Sequence, residues 1–413
     1  MPTSMNRREF LRGVSVQTIA VASTASSILN GRASGAPGGN AKPLAEPGTR
    51  TDWLARWQKN ILDSAHSRYC DKEMGEELGW LVSPFLNGFY YGYRATRDSQ
   101  WLELFLDWAD SCIQRGVKEP DGFIGWPKTG SGGPPAETLY SDSLLGEAMM
   151  LRPVVLMADE ILKTPALEQK WGRKARGYLQ LAGQTFEKWE ARDCWRKVND
   201  GGLWVVPTFG IDRPSDQWTE AYRQRKTEGF SNPANKQHHI ARWLIAMHDV
   251  TRKPVYRERS EQWWRLMKTR IRTREGGKYL VWNYWDAAGP WDYKSDGSRK
   301  HWTGVHPNGG YYAIDVEGIV TAFDHGLVFG QEDIDRLIAT NRDYMWNQQM
   351  TGAAFQRIDG GQPDPRWKHS PGVLWTALVP YDETLRKIFL ANHDPGGWGA
   401  LSATPWFLGL PAS

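Results

Sequence analysis

Two short segments of the chain hold the residue types best suited to chemistry. Residues 231–239 are rich in amides and end in a histidine pair, directly before an apolar helical pattern. In the aromatic loop that follows, Tyr293 lies 54 residues after His239, between Asp292 and Lys294. A turn of amides and histidines beside a loop of tyrosines and cations suits the removal of a proton next to a sugar carboxylate.

β-Elimination from a uronic-acid polymer requires three functions from such segments. The C5 proton leaves only when the neighbouring carboxylate is neutralised, so amides or cations must bind that carboxylate. A base must take the proton, and an acid must protonate the departing O4. In D-glucuronate and D-mannuronate residues, the C5 proton and O4 lie on the same face of the sugar ring. One tyrosine with a pKa lowered by nearby cations can then serve as both base and acid.

We therefore predict that Tyr293 is the base and acid, with His239 as its nearest partner. Asn235 and His238 are predicted to hold the carboxylate, and Arg242 to add positive charge. A histidine pair at a helix start is also typical of a polar cap or a core contact. Other tyrosines of the same stretch remain alternatives for the proton carrier: Tyr279, Tyr284, Tyr311 and Tyr312.

Candidates for substrate binding are polar or aromatic residues in or beside the loops. The chain has 23 tryptophans, and flat aromatic rings stack on the C–H faces of sugars. For Trp126, Trp204 and Trp282 this role competes evenly with core packing, which we favour for the helical Trp57, Trp108, Trp171, Trp263 and Trp264. The predicted binding residues are Gln237, Arg242, Lys294, Arg299, His306, Tyr312, Trp218, Trp285, Trp291 and Trp302.

Helical hairpins must position these segments. An apolar helical stretch, a short polar turn and an amphipathic helix recur, with turns at residues 96–98, 163–165, 251–254 and 330–332. Between hairpins, residues 121–137, 199–230 and 276–312 form glycine-punctuated loops, with a short strand expected at 278–282. This pattern predicts an all-α fold, a toroid of six or seven α/α hairpins with long irregular loops on one rim.

The N-terminus predicts export. Residues 6–12 contain two adjacent arginines followed by Phe10 and Leu11, and a mildly apolar run comes next. This is typical of a twin-arginine signal, predicted over residues 1–36, with a flexible linker over 37–51 and a single catalytic domain over 52–413. The mature protein is expected in the periplasm or outside the cell, as a monomer without a membrane anchor.

Composition excludes several other classes. Without the four arginines and one glutamate of residues 1–36, the totals of 51 basic and 47 acidic residues become nearly equal, so we expect no nucleic-acid partner. The three cysteines are widely spaced, and the histidines match no metal-ligand template, so no disulfide scaffold, metal or cofactor is predicted. Signatures of serine hydrolases, zincins and nucleotide enzymes are absent from the sequence.

The histidine cluster at a helix start, the tyrosine 54 residues later and the twin-arginine start together resemble α/α-toroid polysaccharide lyases. The resemblance is to the alginate and glucuronan lyases of polysaccharide lyase family 38, with the same logic in family 5. It implies that the family's histidine is His238 or His239, its tyrosine Tyr293, and its amide Asn235 or Gln237. Residues 286–291 hold no arginine before Tyr293, so Arg299 or Arg223 would take that role.

The sequence thus predicts a lyase for a 1,4-linked acidic polysaccharide, glucuronan or alginate. Glycoside hydrolysis by a carboxylate pair is an alternative on the same fold. An exported carbohydrate-binding protein without catalysis is another. The carboxylates in or near the loops that could form such a pair are Asp142, Glu228, Asp292, Asp315 and Glu317.

Overall fold

The computed structural model describes residues 50–129, 140–206, 229–363, 365 and 369–392. The predicted export signal, most of the predicted linker, Trp218, Arg223 and Glu228 lie outside these ranges. Export, the domain boundaries and the monomeric state therefore stay predictions. Helices dominate the described part of the chain.

The α-helices of the described ranges are α1 Arg50–Ala65, α2 Ser83–Thr96, α3 Ser99–Gln114, α4 Leu144–Lys163, α5 Pro165–Ala191, α6 Ala234–Thr251, α7 Pro254–Arg270, α8 Gly310–Asp324, α9 Gln331–Ala339 and α10 Glu383–Asn392. π-Helical turns, with hydrogen bonds between residues five apart, precede α2 over Leu78–Val82 and follow α9 over Thr340–Met345. Among the described helices, none has the length and apolar character needed to cross a bilayer.

The predicted hairpin turns are confirmed, and local chemistry explains them. Arg97 and Arg252 end α2 and α6 in the left-handed conformation, with φ of 60° at each. The Asp98 side chain accepts a hydrogen bond from the backbone N–H of Gln100 and so caps α3. Proline occupies the first position of α5 and of α7, where it has no N–H to leave unpaired.

The hairpins stand side by side as an α/α toroid. Helices α2, α4, α6 and α8 pack against one another in that order on the inside of the toroid. Their partners α3, α5, α7 and α9 cover them on the outside, and a 3-10 helix at Thr376–Tyr381 packs against α8. The predicted fold class is thereby confirmed. Each inner helix begins where an outer helix has returned, so the N-termini of the inner helices share one rim.

Short antiparallel strands build the loops of that rim. Val117–Lys118 (β1) pairs with Ile124–Gly125 (β2), and Lys128–Thr129 (β3) with Tyr140–Ser141 (β4). Trp195–Val198 (β5), Gly201–Val206 (β6) and Phe230–Ser231 (β7) form a three-stranded sheet in that order. Arg272–Arg274 (β8) pairs with Tyr279–Val281 (β9), which confirms the predicted strand.

Tryptophan fills the core under the rim as well as between the helices. Trp108, Trp263 and Trp264 are buried as predicted, and Trp171 packs against the core while partly exposed. The loop residues Trp126, Trp204 and Trp282 are also fully buried. For these three, core packing prevails over the sugar-stacking role.

Candidate functional site

One face of α6 points polar groups toward the inside of the toroid. Asn235, His239 and Arg242 are spaced four and three residues apart, which places them on one side of the helix. Trp80, on the inner helix extension Leu78–Val82, contacts the His239 ring edge-on at 5.9 Å between centroids. The face therefore looks across the toroid toward α2.

The Asn235 side chain and the Nε2 atom of His239 are buried without the hydrogen bonds that buried polar groups normally make. Asn235 is 1% exposed, and neither its amide nitrogen nor its amide oxygen has a partner among the described residues. The His239 Nε2 atom is also buried and without a partner there. Since such groups are nearly always satisfied in folded proteins, these atoms mark a place for a ligand or water.

The neighbouring residues of α6 have other tasks. His238 is fully buried, where its Nδ1 accepts a hydrogen bond of 3.4 Å from Trp263 Nε1. The Gln237 side chain donates to the Trp204 carbonyl at 2.6 Å and accepts from the Trp204 N–H at 3.1 Å. These two residues bind α6 to the core and to β6, while the His238 Nε2 atom is buried without a partner among the described residues. Their contact with substrate stays a prediction.

A carboxylate and an ammonium group, those of Glu76 and Lys236, lie at the rim above His239. We call this part of the rim the entrance. The Lys236 Nζ atom is 2.9 Å from Glu76 Oε2, and Trp80 Nε1 donates to Glu76 Oε1 at 3.0 Å. The Glu76 side chain is 24% exposed. This pair connects the start of α6 with the extension of α2 across the rim.

Aromatic rings form one wall of the same entrance. Tyr284 stacks on Tyr311 with centroids 5.0 Å apart and on Trp302 at 5.5 Å, and His306 lies 4.7 Å from both tyrosine rings. Trp302 is 45% exposed, which leaves ring surface available to a sugar. Burial and the charge of Glu76 raise the pKa of Tyr311 to about 12, so this wall borders the carboxylate.

His306 and Tyr312 are held inside the loop. The His306 N–H donates to the Tyr312 hydroxyl at 2.9 Å, and the His306 Nδ1 atom accepts from the Asn308 N–H at 3.0 Å. Burial lowers the pKa of His306 to about 4. His306 thus contributes a neutral ring to the aromatic wall, while Tyr312 is buried beneath it.

Two turns below the rim, four inner helices bring charged groups together. Arg242 Nη2 on α6 donates to Glu317 on α8. Arg152 on α4 donates to Asn87 Oδ1 on α2 at 3.3 Å and is hydrogen-bonded to Tyr91. Glu317 also acts electrostatically on Arg152. We call Tyr91, Arg152, Arg242 and Glu317 the inner layer.

Tyr293 lies on an exposed hairpin of the rim. It is 43% exposed and pairs with Arg299 in an isolated antiparallel bridge, and Lys294 and Arg299 are exposed beside it. The described contacts do not join it to His239. The structure thus brings Asn235, His239 and Arg242 onto one face of α6 and places Tyr293 on an exposed hairpin.

Asp292 fixes the base of this hairpin. Its carboxylate accepts from the Ser231 N–H at 2.6 Å and from the Ser231 hydroxyl at 2.7 Å, and it lies 3.3 Å from His301 Nε2. Trp285 donates to the Ser231 carbonyl, and Trp291 donates to the Ser231 hydroxyl. The indoles of both tryptophans are thus engaged in holding the loop.

Two of the remaining carboxylates proposed from sequence, Asp142 and Asp315, are buried. Asp142 lies in a network with Lys188 and Arg192, whose charges outweigh the effect of burial and lower the pKa of Asp142. Asp315 accepts from Trp282 Nε1 at 2.8 Å, and burial raises its pKa well above the usual value. Glu317, with 33% of its side chain exposed, is the one of this set that reaches the inside of the toroid among the residues described.

Among the described residues, no three histidine, cysteine or carboxylate side chains are arranged so that they could hold a metal ion. Sequence reasoning missed Glu76, Trp80, Lys236 and Arg152. For Arg152 a signal existed, because it interrupts the apolar run of α4. The pairing of Lys236 with Glu76, 160 residues apart, had no local signal.

Comparison with known proteins gives a distant likeness in fold. No family model matches the chain, and neither does any curated protein, so the resemblance to polysaccharide lyase families 38 and 5 is not supported. Two solved structures are similar, both inactive variants of the alpha-1,6-mannanase GH76A of Salegentibacter sp. HEL1_6, in complex with alpha-1,6-mannotriose and alpha-1,6-mannotetrose. Each is 13% identical and covers 86% of this chain and 98% of the other, with TM-scores of 0.45 and 0.47.

Proposed function

We propose that this protein is an enzyme that acts on an acidic glycan at the rim where α6 and α8 begin. The observation that carries the proposal is the Asn235 amide, which is buried at the start of an inner helix with both polar atoms without partners in the described structure. The aromatic wall, with Trp302 exposed at its edge, lies beside the same entrance. Unsatisfied polar atoms next to stacked rings suit a sugar that carries a polar substituent.

The reaction that fits these residues best is β-elimination from a uronic-acid polymer. The Asn235 amide and the helix N-terminus would hold the substrate carboxylate and so acidify the C5 proton. His239, one turn further along the helix, would accept that proton at Nε2. Tyr311, at the start of α8, would donate a proton to the departing O4.

The protonation states of His239 and Tyr311 support this division of roles. Burial lowers the pKa of His239 well below 6.5, and Arg242 and Arg152 lower it further. Burial and then Glu76 raise the pKa of Tyr311 to about 12. At neutral pH the first group is therefore a neutral base and the second a protonated acid, as an acid–base pair requires.

Tyr293 remains the candidate that sequence analysis gives for the proton carrier. Its exposure would let it reach a polymer lying across the rim. The single-tyrosine mechanism and the His239 and Tyr311 mechanism differ in which phenol is required, so single phenylalanine variants distinguish them.

Glycoside hydrolysis is the second candidate. Glu76 and Glu317 are both partly exposed, and each is bound to a residue of α6, Lys236 in one case and Arg242 in the other. Acid–base hydrolysis of a glycosidic bond needs two carboxylates on either side of that bond. Glu76 at the rim and Glu317 in the inner layer would both have to reach it.

Product chemistry tests the proposal. Elimination leaves a C4=C5 double bond that absorbs ultraviolet light, whereas hydrolysis leaves a new reducing end without it. We expect absorbance and reducing ends to rise together on polyglucuronate, polymannuronate or polyguluronate. Reducing ends without absorbance would establish hydrolysis instead, and binding without either product would indicate a carbohydrate-binding protein.

Asn235→Leu should separate stability from function. Leucine has a similar volume and removes two buried polar atoms that lack partners, so the free energy of unfolding is expected to stay equal or rise by about 1–3 kcal/mol. Turnover should fall sharply because the carboxylate loses its donor. Urea unfolding and the ultraviolet assay measure the two effects.

Gln237→Leu is the matched control on the same helix. Its amide is hydrogen-bonded to both backbone groups of Trp204, and the Trp204 carbonyl also accepts from the Asn232 N–H. This variant should therefore lose about 1–3 kcal/mol because it leaves the buried Trp204 N–H unpaired. An Asn235→Leu protein that is destabilised like Gln237→Leu and still turns over would contradict the role of Asn235.

The pH dependence of kcat/KM follows from the two pKa shifts. His239 acts as a base only when neutral, and its pKa lies well below 6.5, so activity should decline only at pH values below 6.5. Tyr311 acts as an acid only when protonated, and its pKa of about 12 places the alkaline decline far above neutrality. We expect a plateau from pH 7 to about pH 10. An acid limb centred at or above pH 6.5 would speak against His239 as the base.

A further inference from the structure

The inner layer has more positive than negative charge. Glu317 acts electrostatically on both Arg152 and Arg242, and among the described residues its carboxylate is hydrogen-bonded to Arg242. Arg152 has two neutral partners, Asn87 and Tyr91. Two guanidinium groups thus share one described carboxylate inside the toroid.

Arg242 also has a hydrogen-bond donor that lacks an acceptor among the described residues. It is 7% exposed, and its Nε atom is buried without a partner among the described residues. Burial lowers the pKa of Arg242, Glu317 opposes this, and Arg152 adds to it. A buried guanidinium N–H that lacks an acceptor calls for an oxygen atom from outside the protein.

The inner layer is separate from the level of Asn235. Asn235 and Arg242 are seven positions apart on α6, which corresponds to about 10 Å along a helix axis. One carboxylate cannot contact both. Because the two residues share a helix face, a glycan that enters at Asn235 can continue along this face to the inner layer.

We propose that Arg152 and Arg242 form an inner oxyanion subsite that binds the carboxylate of a second uronate residue in the same substrate chain. The planar guanidinium groups donate paired hydrogen bonds to the two oxygens of a carboxylate. This inference rests on the proposed acidic substrate. A free small oxyanion has the same chemistry, and the experiment below distinguishes the two sources.

Calorimetric titration tests the subsite independently of turnover. The ligands are a glucuronate trisaccharide, its carboxyl-reduced neutral counterpart and sodium sulfate, each added to the full chain. We expect Arg152→Gln to weaken trisaccharide binding about 10- to 100-fold, the value of one charge-assisted hydrogen-bonded contact, and to leave the weak binding of the neutral sugar unchanged. Arg152→Lys should recover part of the loss, since it restores the charge without the fork.

Arg265→Gln is the control for loss of one positive charge. Arg265 pairs with Glu261 on the outer helix α7 and is 47% exposed, so this variant should bind the trisaccharide like the unaltered chain. Should Arg152→Gln not fold, Arg152→Lys decides, with about a tenfold loss expected for the missing bidentate contact.

Three outcomes would overturn the subsite. They are trisaccharide binding unaffected by either Arg152 substitution, no trisaccharide binding at all, and sulfate binding that alone depends on Arg152, which would indicate a free-anion site. Trisaccharide that binds through Arg152 but gives no unsaturated product would keep the subsite and reject the elimination reaction. Elimination activity together with unaltered trisaccharide binding in Arg152→Gln would keep the elimination reaction and reject the subsite.

Discussion

Tyr311→Phe is expected to lower kcat by about 10²- to 10⁴-fold, the usual contribution of a positioned acid in proton transfer. The substitution removes the hydroxyl proton that O4 would receive and keeps the ring that stacks on Tyr284 and contacts His306 edge-on. KM should change little, because the aromatic wall remains. Steady-state kinetics on a uronate polymer, followed by ultraviolet absorbance, measure both parameters.

Tyr293→Phe is the companion experiment. If Tyr293 is the single proton carrier, its variant loses turnover and Tyr311→Phe does not. If Tyr311 is the acid, the order is reversed. Tyr279→Phe serves as the control, because Tyr279 is a buried residue of β9 that packs against Tyr344 and has no part in either mechanism. Normal kcat in both Tyr293→Phe and Tyr311→Phe would exclude both assignments.

Lys188→Met should destabilise the protein by about 3–5 kcal/mol, the typical result of removing one partner from a buried ion pair. Lys188 is fully buried and lies 2.6 Å from Glu147 Oε1, and it also binds Asp142. Methionine keeps the apolar stem but leaves the carboxylates with less positive charge. The loss is measured by urea unfolding as a lower free energy of unfolding.

Lys163→Met is the matched control for this experiment. Its ammonium group lies 2.6 Å from Asp159, but the lysine side chain is 70% exposed. An exposed pair of this kind contributes about 0–1 kcal/mol. Equal losses in Lys188→Met and Lys163→Met would show that burial does not strengthen the network.

Adding Glu147→Gln to Lys188→Met should restore part of the lost stability. Burial raises the pKa of Glu147 to about 7 even with Lys188 beside it, so the carboxylate without its lysine is the main source of the cost. No recovery in the double variant would place the cost on Asp142.

The fold was predictable because its signals are local. Ile240, Leu244 and Met247 recur at helical spacing, and all are buried in α6 as predicted. Pro165 and Pro254 follow turns and start the next helices. Each of these decisions depends on a few neighbouring residues, so no knowledge of distant contacts was needed.

The site was only partly predictable because its members meet through tertiary contacts. Adjacent residues on a helix point about 100° apart, so His238 faces Trp263 in the core while His239 faces the inside of the toroid. Sequence alone does not say which of the two faces inward. The approach of Glu76 to Lys236 and of Arg152 to the α6 face depends on how the inner helices pack.

The buried tryptophans of the rim have a consequence for how a ligand is received. Trp126, Trp204 and Trp282 each insert into the core from a loop or strand of the rim. Their packing fixes the described parts of these loops. Loops fixed in this way are ordered before the ligand binds, so binding costs little loop entropy. The ligand would bind to a preformed surface, because the entropy cost of ordering the rim loops is incurred when the chain folds.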